Sequence, residues 1–314
     1  MKKVGIVILV FALLQMLGLA YLIKNKEFIA SILNLDNKSP LLAHLPLLGR
    51  AQKKSTAEKP QPPKILSVTY ESARKDDLPI REVHLKKGTL TGISVRGEIW
   101  GFRDFIGATF LGYDEKRQQV RLRVQDYVSK QPLELYQFSY FDATTKKWDN
   151  ICWTENQPKA LAILIPGMWD TSGRYNKPKG VFSIACLNSP LGRCAELGYN
   201  PWKAFKKTPL AKYHQACVRM LRADYLGNGK SHTKNENDGI AFEDNLGYLK
   251  SKISPEMQFE AGWGASGAIQ LARVRYKDLV PPGVSCPTRS FCFFTHRSLP
   301  HEQEVLIKNY SLPR

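Results

Sequence analysis

The 314-residue chain has no cysteine before position 152 and no Cys-x-x-Cys pair, which excludes a zinc ribbon and a thioredoxin-type redox motif. It has no P-loop or dinucleotide glycine pattern, so nucleotide chemistry of those kinds is not expected. No Gly-x-Ser-x-Gly elbow is present, and no zinc-finger, RNP or helix-turn-helix pattern. Asp224-x-x-x-Asn228-Gly229 and Asn235–Gly239 have calcium-loop composition without its register, and read as turns. No metal and no cofactor is therefore expected. Acidic residues are also scarce. The 28 Asp+Glu face 46 Lys+Arg, for a net charge of +18. Seven of those charges fall in residues 1–64 and eleven in 65–314. A surface this basic attracts polyanions. Its cations are scattered (Lys86, Lys87, Arg117, Lys146, Lys206, Lys207), so the expected partner is anionic lipid or envelope polymer rather than nucleic acid.

One long apolar run is present. Lys2 and Lys3 precede twenty residues, 4–23, interrupted only by Gly5, Gln15, Gly18 and Tyr21. A helix of that length spans about 30 Å, a bilayer core. The reading is a cytoplasmic stub (1–3), an uncleaved transmembrane signal-anchor (4–23) and a juxtamembrane segment with a Pro-rich linker (24–64). An exported domain follows over 65–314. Small residues at Gly18 and Ala20 leave open a cleaved, secreted form. Cysteine usage agrees with export, because Cys152, Cys186, Cys194, Cys217, Cys286 and Cys292 are an even set confined to that domain. Six cysteines allow fifteen pairings. Cys186/Cys194 and Cys286/Cys292 are close enough in sequence to close small loops, leaving Cys152 with Cys217.

Between residues 65 and 187 the pattern is β. KILSVTY, TLTGISVRGEI, ATFLGY, QVRLRVQDYV, LELYQFSYF, KALAILIPG and GVFSIACL are separated by turn sequences. Period-two alternation in VRLRV and LYQFSYF marks half-buried antiparallel strands, and no βαβ alternation is visible. The expected fold class is α+β and β-rich, mostly antiparallel, with one packed helix near 209–225. Thr208 and Pro209 suit its start. Tyr213, Ala216, Cys217, Met220 and Leu221 form its apolar stripe, and Gly227 is placed for a left-handed C-cap. Cys217 is expected to tie that helix to the sheet. Trp100, Trp148, Trp153, Trp169, Trp202 and Trp263 are read mostly as core, with a carbohydrate or peptide groove as the alternative.

His214-Gln-Ala-Cys-Val-Arg-Met220, Ala223-Asp-Tyr225, Gly227, Gly229 and Ser231-His-Thr233 together resemble the signature of bacterial ADYC-domain proteins. Ile184–Cys186, Arg193-Cys194, Gly198-Tyr199, Pro201-Trp202, Phe259–Trp263 and Gly267-Ala268 extend the likeness. The resemblance implies an exported, cysteine-rich bacterial domain of unassigned function; with the apolar run 4–23 as anchor, the expected location is the bacterial inner membrane, single-pass, with the bulk of the chain periplasmic or extracytoplasmic. Leu226 stands where the family has the cysteine that names it, and Gln270 where it tends to place another. Paired loss of one disulfide explains both, and implies that Leu226 and Gln270 lie close in space.

Two readings of the signature compete. His214, Asp224, His232 and Glu260 could be catalytic groups of a hydrolase, with the aspartate orienting an imidazole. In the structural reading His214 packs on the helix, Asp224 pairs with Arg219, Arg222 or a backbone amide, and Glu260 pairs with Arg273 or Arg275. The structural reading is favoured, and with it a binding or scaffold module.

Overall fold

The computed structural model describes residues 61–130, 132–234, 239–281, 292–293 and 304–313. The apolar run 4–23, most of 24–64 and Cys286 lie outside the described residues. Among the described residues no helix is long and apolar enough to cross a membrane.

The first strands are β1 (Ile65–Thr69), β2 (Arg81–Lys86), β3 (Thr89–Ile93), β4 (Ile99–Gly101), β5 (Thr109–Asp114) and β6 (Gln119–Lys130). Next come β7 (Leu133–Asp142), β8 (Lys147–Asn150), β9 (Ala162–Pro166) and β10 (Val181–Cys186). Helices α1 (Pro190–Leu197) and α2 (Ala211–Arg222) follow. The remaining strands are β11 (Ala241–Asp244), β12 (Gln258–Gly264), β13 (Gly267–Leu271), β14 (Cys292–Phe293) and β15 (Ile307–Ser311).

Six strands close an antiparallel barrel in the order β1-β10-β9-β7-β6-β5. β1 completes the ring, with Val68 opposite Phe182 on one side and Gly112 on the other. Alternation fills the interior: Val68, Phe110, Leu122, Val124, Tyr136, Phe138, Leu164, Phe182 and Ile184 all point inward. The small sheet β2-β3-β4 covers one part of this core with Ile80, Val83 and Leu90. The Tyr136 hydroxyl accepts from Leu90 N at 3.1 Å and ties the two together.

The opposite faces of β9 and β10 present Ile163, Ile165 and Ala185 to a second core. Both helices pack there, and the sheet β11-β15-β12-β13-β14 closes it from the other side with Ala261, Trp263, Ala268 and Leu271. All the sheet pairings are antiparallel, as the alternation indicates.

Several expectations are corrected here. Among the described residues two helices are packed, not one. The first, α1, is only eight residues long and carries no long apolar stripe, so its sequence signal is confined to the Ser189 cap and Pro190. The second, α2, begins at Ala211, because Thr208-Pro209 pairs with Ala204-Phe205 in a short hairpin. Its C-cap is Ala223, at φ 50°, not Gly227. Gly227 is needed for a different reason: a Cβ there would lie 1.7 Å from the Ser266 carbonyl oxygen.

Among the described residues, disulfides join Cys152 to Cys186 and Cys194 to Cys217, and the expected Cys286/Cys292 pair, through Cys286, lies outside them. Sequence proximity misleads, because Cys186 leaves β10 beside the segment after β8, which brings Cys152 within 5.4 Å, Cα to Cα. Cys217 therefore binds α2 to α1 rather than to the sheet. The backbone of Cys292 pairs with Leu271 in the second sheet.

Candidate functional site

The signature residues converge on the C-terminal end of α2. A helix leaves its last four carbonyls without intrahelical donors, and here the end is buried, so each needs a partner. Arg219 O accepts from Asp224 N at 3.0 Å. Met220 O and Leu221 O accept from the Arg275 guanidinium at 3.1 and 3.4 Å. Arg222 O accepts from His232 N at 2.9 Å and from Ser231 Oγ at 3.1 Å. The loop 223–232 thus folds back over the helix end, and the αL conformation of Ala223 starts the return.

Each candidate catalytic group is spent inside this arrangement. Asp224 is fully buried, paired with Arg219, and accepts from Gly229 N at 2.9 Å. His232 is fully buried, with Nδ1 3.0 Å from Ala223 O and its ring stacked on Tyr225. His214 is fully buried on the other side of α2, with Nδ1 2.8 Å from Tyr199 O and its ring edge-on to Trp169. A carbonyl only accepts, so each imidazole donates from Nδ1. Burial holds the His214 pKa down at about 4, so the ring is neutral at physiological pH. The structure does not bring His214, Asp224 and His232 into one hydrogen-bonded unit.

Glu260 forms a second node. Its carboxylate takes Arg275 Nη2 at 2.9 Å and Nε at 3.1 Å, Ser311 Oγ at 2.5 Å and the Tyr225 hydroxyl at 3.1 Å. The same Tyr225 hydroxyl accepts from Arg275 N at 2.7 Å. Tyr225 lies on Trp263, whose Nε1 donates to Asn309 at 2.7 Å. Burial, reinforced by the Glu260 charge, raises the Tyr225 pKa far above its ordinary value and keeps the phenol protonated as a donor. Arg275 is the residue that links carboxylate and helix end.

Leu226 packs against the core between the helices and the second sheet. Gln270 stands opposite Gly262 and Phe293 in the second sheet. The segments meet through Ala268 N, which donates to Tyr225 O at 3.1 Å. Of the six tryptophans, Trp169 and Trp263 are fully buried, and the other four are half-buried.

Half-buried Trp148 belongs to a feature that the sequence reading missed. The inward residues of β6 are Leu122 and Val124, so Arg121 and Arg123 lie on the outer face of the barrel. Arg123 lies 4.4 Å over the Trp148 ring, and Arg121 lies 5.3 Å from Phe141 and 5.8 Å from Trp148. Phe141 and Trp148 are themselves packed edge to face at 5.4 Å. Beside them runs an open groove of about 600 Å³, lined by Gln61, Pro63, Val120, Arg121, Phe141 and Thr144 among others. The alternating Arg-Leu-Arg-Val run was the available signal.

No curated protein and no solved structure matches the chain. Residues 102–277 match the ADYC domain, which is more than half of the 314 residues. That span holds both disulfides, both helices, the returning loop and the Glu260–Arg275 pair. With signature and match coinciding on one buried framework, the chain belongs to the ADYC-domain family.

Proposed function

We propose that this protein is a binding or scaffold module of the bacterial envelope, tethered to the inner membrane by residues 4–23 and presenting its basic domain to anionic lipid or polymer. One observation carries the reading. The four chemistry-bearing side chains, His214, Asp224, His232 and Glu260, are shut off from solvent and bonded within the framework. A hydrolase would need at least an acid or a base within reach of a substrate. What the domain offers to solvent is its charge, +11 over residues 65–314, and outward arginines such as Arg121.

The test is binding of the purified chain to phosphatidylglycerol vesicles and to anionic cell-wall polymers over a salt series, beside hydrolysis assays on ester, peptide and glycoside panels. Association that weakens as salt rises, with no turnover, is the expected result. Turnover abolished by Asp224→Asn in a folded variant would establish the enzyme instead. N-terminal sequencing of the mature protein checks the tether: an intact start at Met1 is expected, and a start at Tyr21 would make the domain a secreted factor.

A further inference from the structure

We infer that the groove beside Phe141 is the recognition site for an anionic polysaccharide, seating a carboxylate or phosphate of the polymer on Arg121. The inference rests on the binding-module reading above and gives it a place and a ligand class.

The two arginines have different roles. Arg123 is held: it lies 4.4 Å over the Trp148 ring, and the Gln125 side-chain carbonyl, with its amide turned to suit, accepts from Nε and Nη2 at 3.0 and 2.8 Å. Arg121 is exposed and rests against Phe141 and Trp148, with no carboxylate partner among the described residues. A contact with aromatic rings uses none of a guanidinium's hydrogen-bond donors as ion-pair partners, so its N–H fork can still take a carboxylate or phosphate bidentately. Its position is set by the rings before any ligand arrives, so less order is lost on binding.

Asp142 also lines the groove, but neither it nor Asp114 forms an ion pair with Arg121, because each is engaged in its own turn. Asp142 accepts from Thr144 N at 2.8 Å and Thr145 Oγ1 at 3.0 Å within its own turn. Asp114 accepts from Lys116 N and Gln118 N at 2.9 and 2.7 Å in the neighbouring turn. Those turns also carry Lys116, Arg117, Lys146 and Lys147, all exposed. The groove walls alternate in character: Val120, Phe141 and Pro63 are apolar, whereas Gln61, Gln119 and Thr144 carry hydrogen-bonding groups. A sugar ring has the matching surface, with apolar C–H faces and a rim of hydroxyls. An open groove also suits a chain better than an acyl tail or a small molecule, which bind in enclosed pockets.

The experiment compares the full-length chain in non-ionic detergent with Arg121→Gln and Arg103→Gln. Arg103 is a matched control, an exposed arginine stacked on Tyr127 near the other end of β6. Oligogalacturonate, phosphorylated dextran and phosphatidylglycerol vesicles serve as probes, with Trp148 emission as a second readout. Arg121→Gln is expected to weaken polymer binding at least about tenfold, the worth of a charge-assisted pair, while Arg103→Gln changes it less than about twofold. Equal losses in both variants would overturn the groove and leave a diffuse electrostatic module standing. Arg121-dependent binding to vesicles but to neither polymer would overturn the polysaccharide assignment in favour of a lipid headgroup. No binding to any probe would sink the groove and the binding-module reading together.

Discussion

At the scale of single residues, the buried polar groups are the most exacting part of the structure. His214 is the clearest pH-sensitive case. Its folded pKa of about 4 lies below the ordinary histidine value of 6.5. As pH falls below 6.5 the unfolded chain takes up this proton while the folded protein refuses it. The stability the neutral ring contributes is therefore present above pH 6.5 and is lost progressively down to about 4, to a total of roughly 3 kcal/mol. His214→Asn keeps an N–H for the Tyr199 carbonyl and removes the titration. Urea denaturation at pH 7 and at pH 4.5 should show a smaller pH penalty in the variant than in the parent, and an unchanged penalty would mean that other groups dominate. Glu260→Gln is costlier. It leaves Arg275 charged in the interior, and a loss of about 3–5 kcal/mol is expected in the same assay. The sequence alone named both partners of this pair as candidates. It could not choose between Arg273 and Arg275, because the choice depends on which side chain also reaches the α2 carbonyls.

At the scale of elements, legibility follows the length and regularity of the pattern. All seven apolar runs between residues 65 and 187 contribute strands, since alternation over several residues has one reading when one face is buried. The stripe of α2 was equally plain. Its end was not, because a non-glycine αL residue such as Ala223 carries no local signal and is held by distant donors. The second sheet was missed for a related reason. Its strands are short, β12 contains two glycines, and β15 pairs with β11 from more than sixty residues away. Spacing pairs Cys186 with Cys194 and leaves Cys152 to Cys217, whereas the observed pairing follows barrel geometry, which spacing does not encode. Peptide mapping without reduction should recover Cys152–Cys186 and Cys194–Cys217. Replacing Cys194 and Cys217 together by serine should cost about 2–4 kcal/mol, measured by denaturation, with the barrel strands retained in far-UV dichroism.

At the scale of the whole molecule, the family match and the folded unit do not coincide. Residues 102–277 exclude β1, which closes the barrel, and β15, which lies between β11 and β12 in the second sheet. β15 also supplies Asn309 to Trp263 and Ser311 to Glu260. Truncation at residue 302 should expose the Trp263 face, shift its emission to the red and broaden the unfolding transition. A fragment of residues 102–277 should not fold cooperatively. Sharp, parent-like unfolding in either fragment would show that the matched span is autonomous.

The closing position of β1 has a mechanical meaning. The segment before residue 61 joins the folded part at the strand that is laced to β5 on one side and β10 on the other. A pull on that segment therefore runs along β1 and loads both hydrogen-bond ladders at once, in shear, so they must fail together rather than unzip rung by rung. Slippage of β1 would release both ladders in one step and open the barrel along its length.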